Sequence, residues 1–217
     1  MVKAVRQIYT VGHSTHSIEG FISLLQRHEI EVVADVRSRP YSGRFPHFSR
    51  DSVQRSLRAT GIRYVFLGRE LGARREESEV YVSGQAEYQR IAKLPAFAEG
   101  IDRLLTGLSK YRVAVMCAEQ DPLTCHRTIL VCHELKKYEV EIKHIERTGK
   151  LEDNDEAERR LIAEELGNLG QDDMFATRHD APDLLERAYR KRAGLIAYRE
   201  DDRVDDHSHD RLHSEVR

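Results

Sequence analysis

The 217-residue chain has no tryptophan, three cysteines, three methionines and five prolines. Three cysteines are too few, and odd in number, for a disulfide framework, so the expectation is reduced thiols and a cytoplasmic location. No run of about 18 apolar residues exists, which excludes a transmembrane helix and a membrane partner of that kind. The opening "MVKAVRQIYTVGH" lacks the continuous apolar core of a secretory signal. Collagen-like and Gly/Ser-rich tracts are absent, and so is any internal repeat beyond a strand-helix alternation. What is present, 40% hydrophobic and 33% charged residues, suits one soluble domain with an appendage.

The net charge of -2 hides an asymmetry. Residues 1–150 carry 24 Lys+Arg against 18 Asp+Glu, or +6, and residues 151–217 carry 11 against 19, or -8. A basic body calls for an anionic partner, with the acidic end a candidate competitor for the same surface. The plainer reading of that end is a solvated charged tail.

Short apolar runs alternate with helical patterns. Strands are expected at 7–13 (QIYTVGH), 31–37 (EVVADVR), 62–68 (IRYVFLG), 111–119 (YRVAVMCAE) and 139–146 (EVEIKHIE). Helices are expected after the first strand, at 49–61 with a Ser/Asp start and a Gly stop, from about 86 to 110, and after "QDP" with Thr124 as N-cap. Five strands separated by helices predict an α/β domain with a mainly parallel sheet over residues 1–150. Residues 151–200 read as an acidic helical extension with a linker. Residues 201–217 hold too little apolar surface to bury and read as a disordered tail, whose three histidines are a weak pointer to adventitious metal.

Parallel sheets bind ligands at the carboxyl ends of their strands. Here those ends are Gly12-His13-Ser14, Asp35-Val36-Arg37, Gly68-Arg69-Glu70 and Cys117-Ala118-Glu119, and every one is polar. The stretch "MCAEQDPLTCHRTILVCHEL" holds all three cysteines. Cys117 and Glu119 should project to one side of a strand end. Cys125, His126 and Arg127 should open a helix, where free N–H groups favour anions and thiolates. Cys132, further along, reads as core. The spacing Cys117-x7-Cys125-His126 is not that of a zinc knuckle, and adjacent Cys-His pairs seldom serve one tetrahedral ion, so no metal ligand is assigned. No cofactor is implied, although a divalent ion is compatible with the chemistry. A phosphatase or rhodanese loop fits poorly, because Cys117 to Arg127 is too long and includes Pro122 and Glu119. Acid/base chemistry fits better: Glu119 with His13 or His126, beside Arg37 and Arg127 as anion clamps. The plain alternative is two small buried cysteines and a structural salt bridge.

The loop "DVRSRPYSGRFPHFSR" (35–50) sets Arg37, Arg39, Arg44 and Arg50 among Tyr41, Phe45, His47 and Phe48. Cations pair with phosphates and flat rings stack on bases, while Phe45 and Phe48 serve equally to pin the loop to the core. "QDDMF", Gln171 to Phe175, is similar to the pentapeptide by which bacterial DNA-processing proteins dock on the replication sliding clamp. There Gln171, Met174 and Phe175 would fill pockets, but Asp172 stands where a hydrophobic residue is usual.

Taken with "GHS" (12–14), "DVRSRP" (35–40), "CAE" (117–119) and "CHR" (125–127), the chain resembles an uncharacterised bacterial family called domain of unknown function 488, over most of residues 7–150. The resemblance implies an α/β domain with these motifs gathered in one pocket, and it supplies no reaction. The expected pocket comprises Glu119, His13, Cys125 and His126 as catalytic groups. Ser14, Asp35, Arg37, Arg39, Tyr41, Arg44, Cys117 and Arg127 are the expected substrate-binding groups. The leading expectation is an enzyme cleaving a phosphoester or N-glycosidic bond in nucleic acid or a nucleotide during DNA processing. The alternatives are a non-catalytic DNA-binding module docked on the clamp and a thiol redox or sulfur-transfer enzyme.

Overall fold

A computed structural model describes residues 6–167 and 181–202. The five expected strands form: β1 (Arg6–Gly12), β2 (Val32–Asp35), β3 (Arg63–Phe66), β6 (Val113–Cys117) and β7 (Val140–Ile145). All five are parallel, and a sixth, β8 (Leu151–Asp153), adds an antiparallel edge, giving the order β3-β2-β6-β1-β7-β8. The sequence shows no sign of β8, because three residues, Leu-Glu-Asp, are too short to display a period. Also unforeseen is a hairpin, β4 (Tyr81–Val82) and β5 (Gln85–Ala86), within the stretch read as a loop. Its turn residues Ser83 and Gly84 both have positive φ, as a two-residue hairpin turn requires.

Two helical layers cover the sheet. On one face lie α1 (Ile18–Arg27), capped by the Ser17 hydroxyl accepting from Gly20 N, and α2 (Arg50–Ala59). Their Phe21, Leu25, Val53 and Leu57 pack on Tyr9, Val11, Val33 and Met116. The other face takes α3 (Gly68–Leu71), α4 (Tyr88–Ile91) and α5 (Pro95–Leu108). The helical region expected from about 86 to 110 holds two helices, since Pro95 starts a new one. The same face takes the helical run 126–138, here α6, which winds with π geometry over Arg127–Cys132 before a short α turn and a 3-10 turn. Outermost on it are α7 (Asn154–Leu166) and α8 (Ala181–Ile196), whose Ala157, Leu161, Ala188 and Tyr189 join the core of that face. The acidic extension therefore packs on the main body within the described residues. No described helix is long and apolar enough to cross a membrane.

The topology locates a crevice. From β1 the chain crosses towards β2 with α1 on one face, and from β6 it crosses towards β7 with α6 on the other. The carboxyl ends of the adjacent strands β1 and β6 therefore flank a topological switch point, where such sheets open to ligands.

Candidate functional site

The ends of β1 and β6 stay paired past the sheet: His13 N donates to Cys117 O and Ser14 N to Ala118 O, both at 2.9 Å. Gly12 permits this closeness, because a Cβ there would lie 1.8 Å from Glu119 O. Ser14 adopts φ +44°, a left-handed conformation unusual for serine and typical of strained functional turns.

One side-chain cluster gathers Asp35, Arg37, His13, Tyr64 and Phe48. Asp35, fully buried, accepts from Arg37 Nε at 2.9 Å, Arg37 Nη2 at 2.6 Å and the Tyr64 hydroxyl at 2.7 Å. The remaining Arg37 Nη1 meets His13 Nε2 at 3.1 Å, while His13 Nδ1 meets Ser14 O at 3.1 Å. The His13 ring stacks on Phe48 at 4.2 Å. Burial, then the Arg37 charge, lowers the His13 pKa to about 4. The imidazole is neutral, with Nδ1–H donating to Ser14 and Nε2 accepting from Arg37.

The second cluster gathers Cys117, Cys125, Glu119, His126 and Arg127. Contrary to expectation, Thr124 does not cap α6: it ends a 3-10 turn, Pro122–Thr124. Cys125 holds the cap position, with an extended backbone, its carbonyl accepting from Ile129 N at 3.1 Å and its sulfur from Arg127 N at 3.4 Å. Cys125 Sγ lies 2.9 Å from Glu119 Oε2, and Cys117 Sγ lies 3.6 Å from His126 Nδ1. His126 Nε2 is 3.0 Å from Val36 O, which ties α6 to the end of β2.

Charge in this cluster is shared. Burial raises the Cys125 thiol, but a hydrogen bond from Cys117, the Arg127 charge and His126 outweigh it and bring the pKa well below the ordinary thiol value. Burial, then the negative charge on Cys125, raises Glu119. Across their 2.9 Å contact the Cys125 thiol therefore ionises more readily than a free cysteine, and the Glu119 carboxyl less readily than a free carboxyl group. Burial and then Cys125 push Cys117 well up.

Arg127 is 1% exposed and points away from solvent, donating to Glu119 O at 2.6 Å and Gln120 O at 3.0 Å. Expected as an anion clamp, it instead fastens the loop that carries Glu119. Arg37 is likewise held by Asp35. Arg39, Tyr41 and Arg44 lie on the exposed loop beyond, with Tyr41 72% exposed and the Arg44 guanidinium over the Phe45 ring at 5.4 Å. Phe48 is buried, so it does pin the loop. Cys132 is core, as its position suggested, and burial pushes its thiol to about 12. Gln171, Met174 and Phe175 lie outside the described residues.

A family model described as Domain of unknown function DUF488 matches residues 17–133, more than half of the chain. The chain belongs to the DUF488 family. No curated protein and no solved structure matches it. The matched span of this DUF488 chain includes the 35–50 loop and the whole thiol cluster, and begins just after Gly12-His13-Ser14.

Two tyrosines of the site escaped the sequence reading. Tyr64 pairs in register with Val33, two residues before Asp35, so strand alternation places it on the Asp35 side. Tyr88 is buried beside the thiols, and its hydroxyl pKa is raised by burial and then by the negative charge of Cys125, Cys117 and Glu119. No sequence pattern marks it.

Two buttresses hold the Asp121–Thr124 turn from behind. Arg160 of α7 forks onto Asp121 with both contacts at 3.1 Å, and Arg192 of α8 donates to Leu123 O at 3.1 Å.

Proposed function

We propose that this DUF488 chain is an enzyme acting on a phosphate-containing substrate, nucleic acid or a nucleotide, by hydrolytic cleavage of a phosphoester or N-glycosidic bond. The observation that carries the reading is the Glu119–Cys125 contact at the switch point. A buried carboxyl group whose pKa is raised, held 2.9 Å from a thiol whose pKa is lowered, is placed to accept a proton and return it. Glu119 takes a proton from the attacking water and delivers one to the leaving group. His13, with both ring nitrogens engaged, positions Arg37 rather than transferring protons. Phosphate binding falls to Arg39 and Arg44 on the exposed loop, with Tyr41 available for stacking on a base.

A second reading is favoured by the Arg127 N to Cys125 Sγ contact, which suits a thiolate at a helix start: Cys125 itself is the nucleophile of a sulfur-transfer or thiol redox reaction.

The test is incubation of the full chain with single- and double-stranded oligonucleotides, some carrying damaged bases, and with free nucleotides, reading products by mass spectrometry. Glu119→Gln is expected to lower turnover by about 10²–10⁴-fold with the fold unchanged by circular dichroism. A Glu119→Gln protein with wild-type turnover overturns the first reading. Loss of turnover in Cys125→Ser with Glu119→Gln still active establishes the second.

A further inference from the structure

Spacing alone argued against a metal, because Cys125 and His126 are neighbours in sequence. The structure removes that objection. Cys125 is extended (φ -134°, ψ 139°) and His126 is the first helical residue (φ -60°, ψ -23°), so the backbone turns between them. Both side chains then face Cys117 at the end of β6. Cys117 Sγ, Cys125 Sγ and His126 Nδ1 all lie within 4.8 Å of one another, with His126 Nδ1 3.6 Å from one sulfur and 4.0 Å from the other. Zinc bonds of about 2.3 Å to sulfur and about 2.0 Å to nitrogen set the tetrahedral edges at roughly 3.6 Å for S···N and roughly 3.8 Å for S···S. The two S···N separations, 3.6 Å and 4.0 Å, are therefore near a zinc site's edge length, and the two sulfurs lie within 4.8 Å of each other.

We infer that Cys117, Cys125 and His126 form a three-residue binding site for a thiophilic divalent cation, zinc in the first instance. Three further observations agree. His126 Nε2, 3.0 Å from Val36 O, is set to donate there, which leaves the Nδ1 lone pair turned towards the sulfurs; metal-bound histidines are oriented by such a carbonyl. The Arg127 N–H on Cys125 Sγ supports a sulfur that carries charge. The thiols are 3% and 1% exposed, so a second thiolate beside Cys125 would need a further cation as a partner. An anion is disfavoured by the same sulfurs and by the Glu119 carboxyl group beside Cys125. Two sulfurs and an imidazole select zinc over magnesium or calcium. On binding, the thiol protons of Cys117 and Cys125 pass to solvent. Glu119, with Oε2 2.9 Å from Cys125 Sγ, stands beside this site, outside the three ligand atoms that converge. The site stands whatever the substrate is.

The test uses the full chain, stripped with a chelator and titrated with Co²⁺. The expected result is a thiolate-to-cobalt charge-transfer band in the near ultraviolet with tetrahedral bands in the visible, saturating at one ion per chain and abolished by Zn²⁺. The tail histidines His207, His209 and His213 have no sulfur and cannot produce the charge-transfer band. Cys117→Ser and Cys125→Ser should each lose that band's intensity in part or whole, and Cys132→Ala should keep it. A second measurement guards against variants that fail to fold. In the unaltered protein, Zn²⁺ should slow alkylation of Cys117 and Cys125 by at least about tenfold and leave Cys132 unchanged. Cobalt binding without the charge-transfer band, a band that depends on Cys132, or thiols that alkylate equally with and without Zn²⁺ overturns the proposal. None of these readouts depends on turnover, so this inference and the hydrolytic reading fail separately.

Discussion

Asp35 and Arg37 form a buried ion pair in which every charged atom has a partner, the Tyr64 hydroxyl and His13 Nε2 taking the positions the pair leaves open. Removing one member strands the other in an apolar environment. Arg37→Ala is therefore expected to destabilise the protein by about 3–5 kcal/mol in urea unfolding. A loss below about 1 kcal/mol would show that the pair is solvated. For the same reason Arg37 is a poor probe of ligand binding. Gly12 makes a sharper residue-scale test. Gly12→Ala puts a methyl group against the Glu119 carbonyl, so the loop from β6 to α6 must move. Its expected signature is weakened activity together with a lowered melting temperature, whereas Gly61→Ala, with open space around its Cβ but a positive φ, should affect melting only.

At the scale of elements, the site depends on how α6 starts and on what holds its turn. The sulfur at the cap position, the fork of Arg160 on Asp121 and the bond from Arg192 to Leu123 O position Glu119 and Cys125 together. A chain ending after residue 167 loses α8, with the buried Ala188, Tyr189 and Arg192. It is expected to unfold several kcal/mol more easily and to expose Cys132 to alkylation at a rate near that of the unfolded chain. An unchanged Cys132 rate would show that α8 is not part of the core. The five parallel strands were readable because buried strands such as "VAVMC" are continuous apolar runs bounded by polar ends. The short hairpin and β8 were not, since two or three residues carry no period. The motif residues fell at the strand ends where a parallel sheet places its ligands, so the region of the site was legible. The direction of each guanidinium was not. Arg127 and Arg37 turn inward onto carbonyl and carboxylate groups 7 or 8 residues away in one case and on the same strand end in the other, and no spacing rule distinguishes that from facing a ligand. The metal-like cluster was hidden for a related reason: whether neighbouring Cys and His converge depends on a change of backbone conformation between them.

For the whole molecule, two buried histidines couple stability to pH. His13 and His144 both have pKa values of about 4 in the fold, lowered first by burial and then by arginine charge, Arg37 in one case and Arg127 in the other. His144 is held by Thr10 Oγ1 at 2.8 Å and Asn154 Oδ1 at 3.2 Å. Both are neutral in the native state and protonate more readily once unfolded, with a pKa near 6.5. Their contribution is complete above about pH 6.5, declines as the pH falls and is gone below about 4, at roughly 3 kcal/mol for each group. Urea midpoints should fall steeply between pH 6.5 and 4, and His144→Asn should flatten that slope. A slope unchanged by the substitution would place the pH sensitivity elsewhere. The charge asymmetry, +6 over residues 1–150 and -8 over 151–217, belongs to this scale too. It sets an electrostatic attraction for polyanions on the body that the acidic end opposes.

The most direct measurement of the central claim is fluorescence anisotropy of the full chain with labelled single- and double-stranded oligonucleotides over a salt series, beside a variant with Arg39, Arg44 and Arg50 changed to Ala. Binding that weakens steeply with salt, and that loses both affinity and slope in the variant, is the result the account expects. No binding at low salt, or binding that the variant retains undiminished, would contradict it.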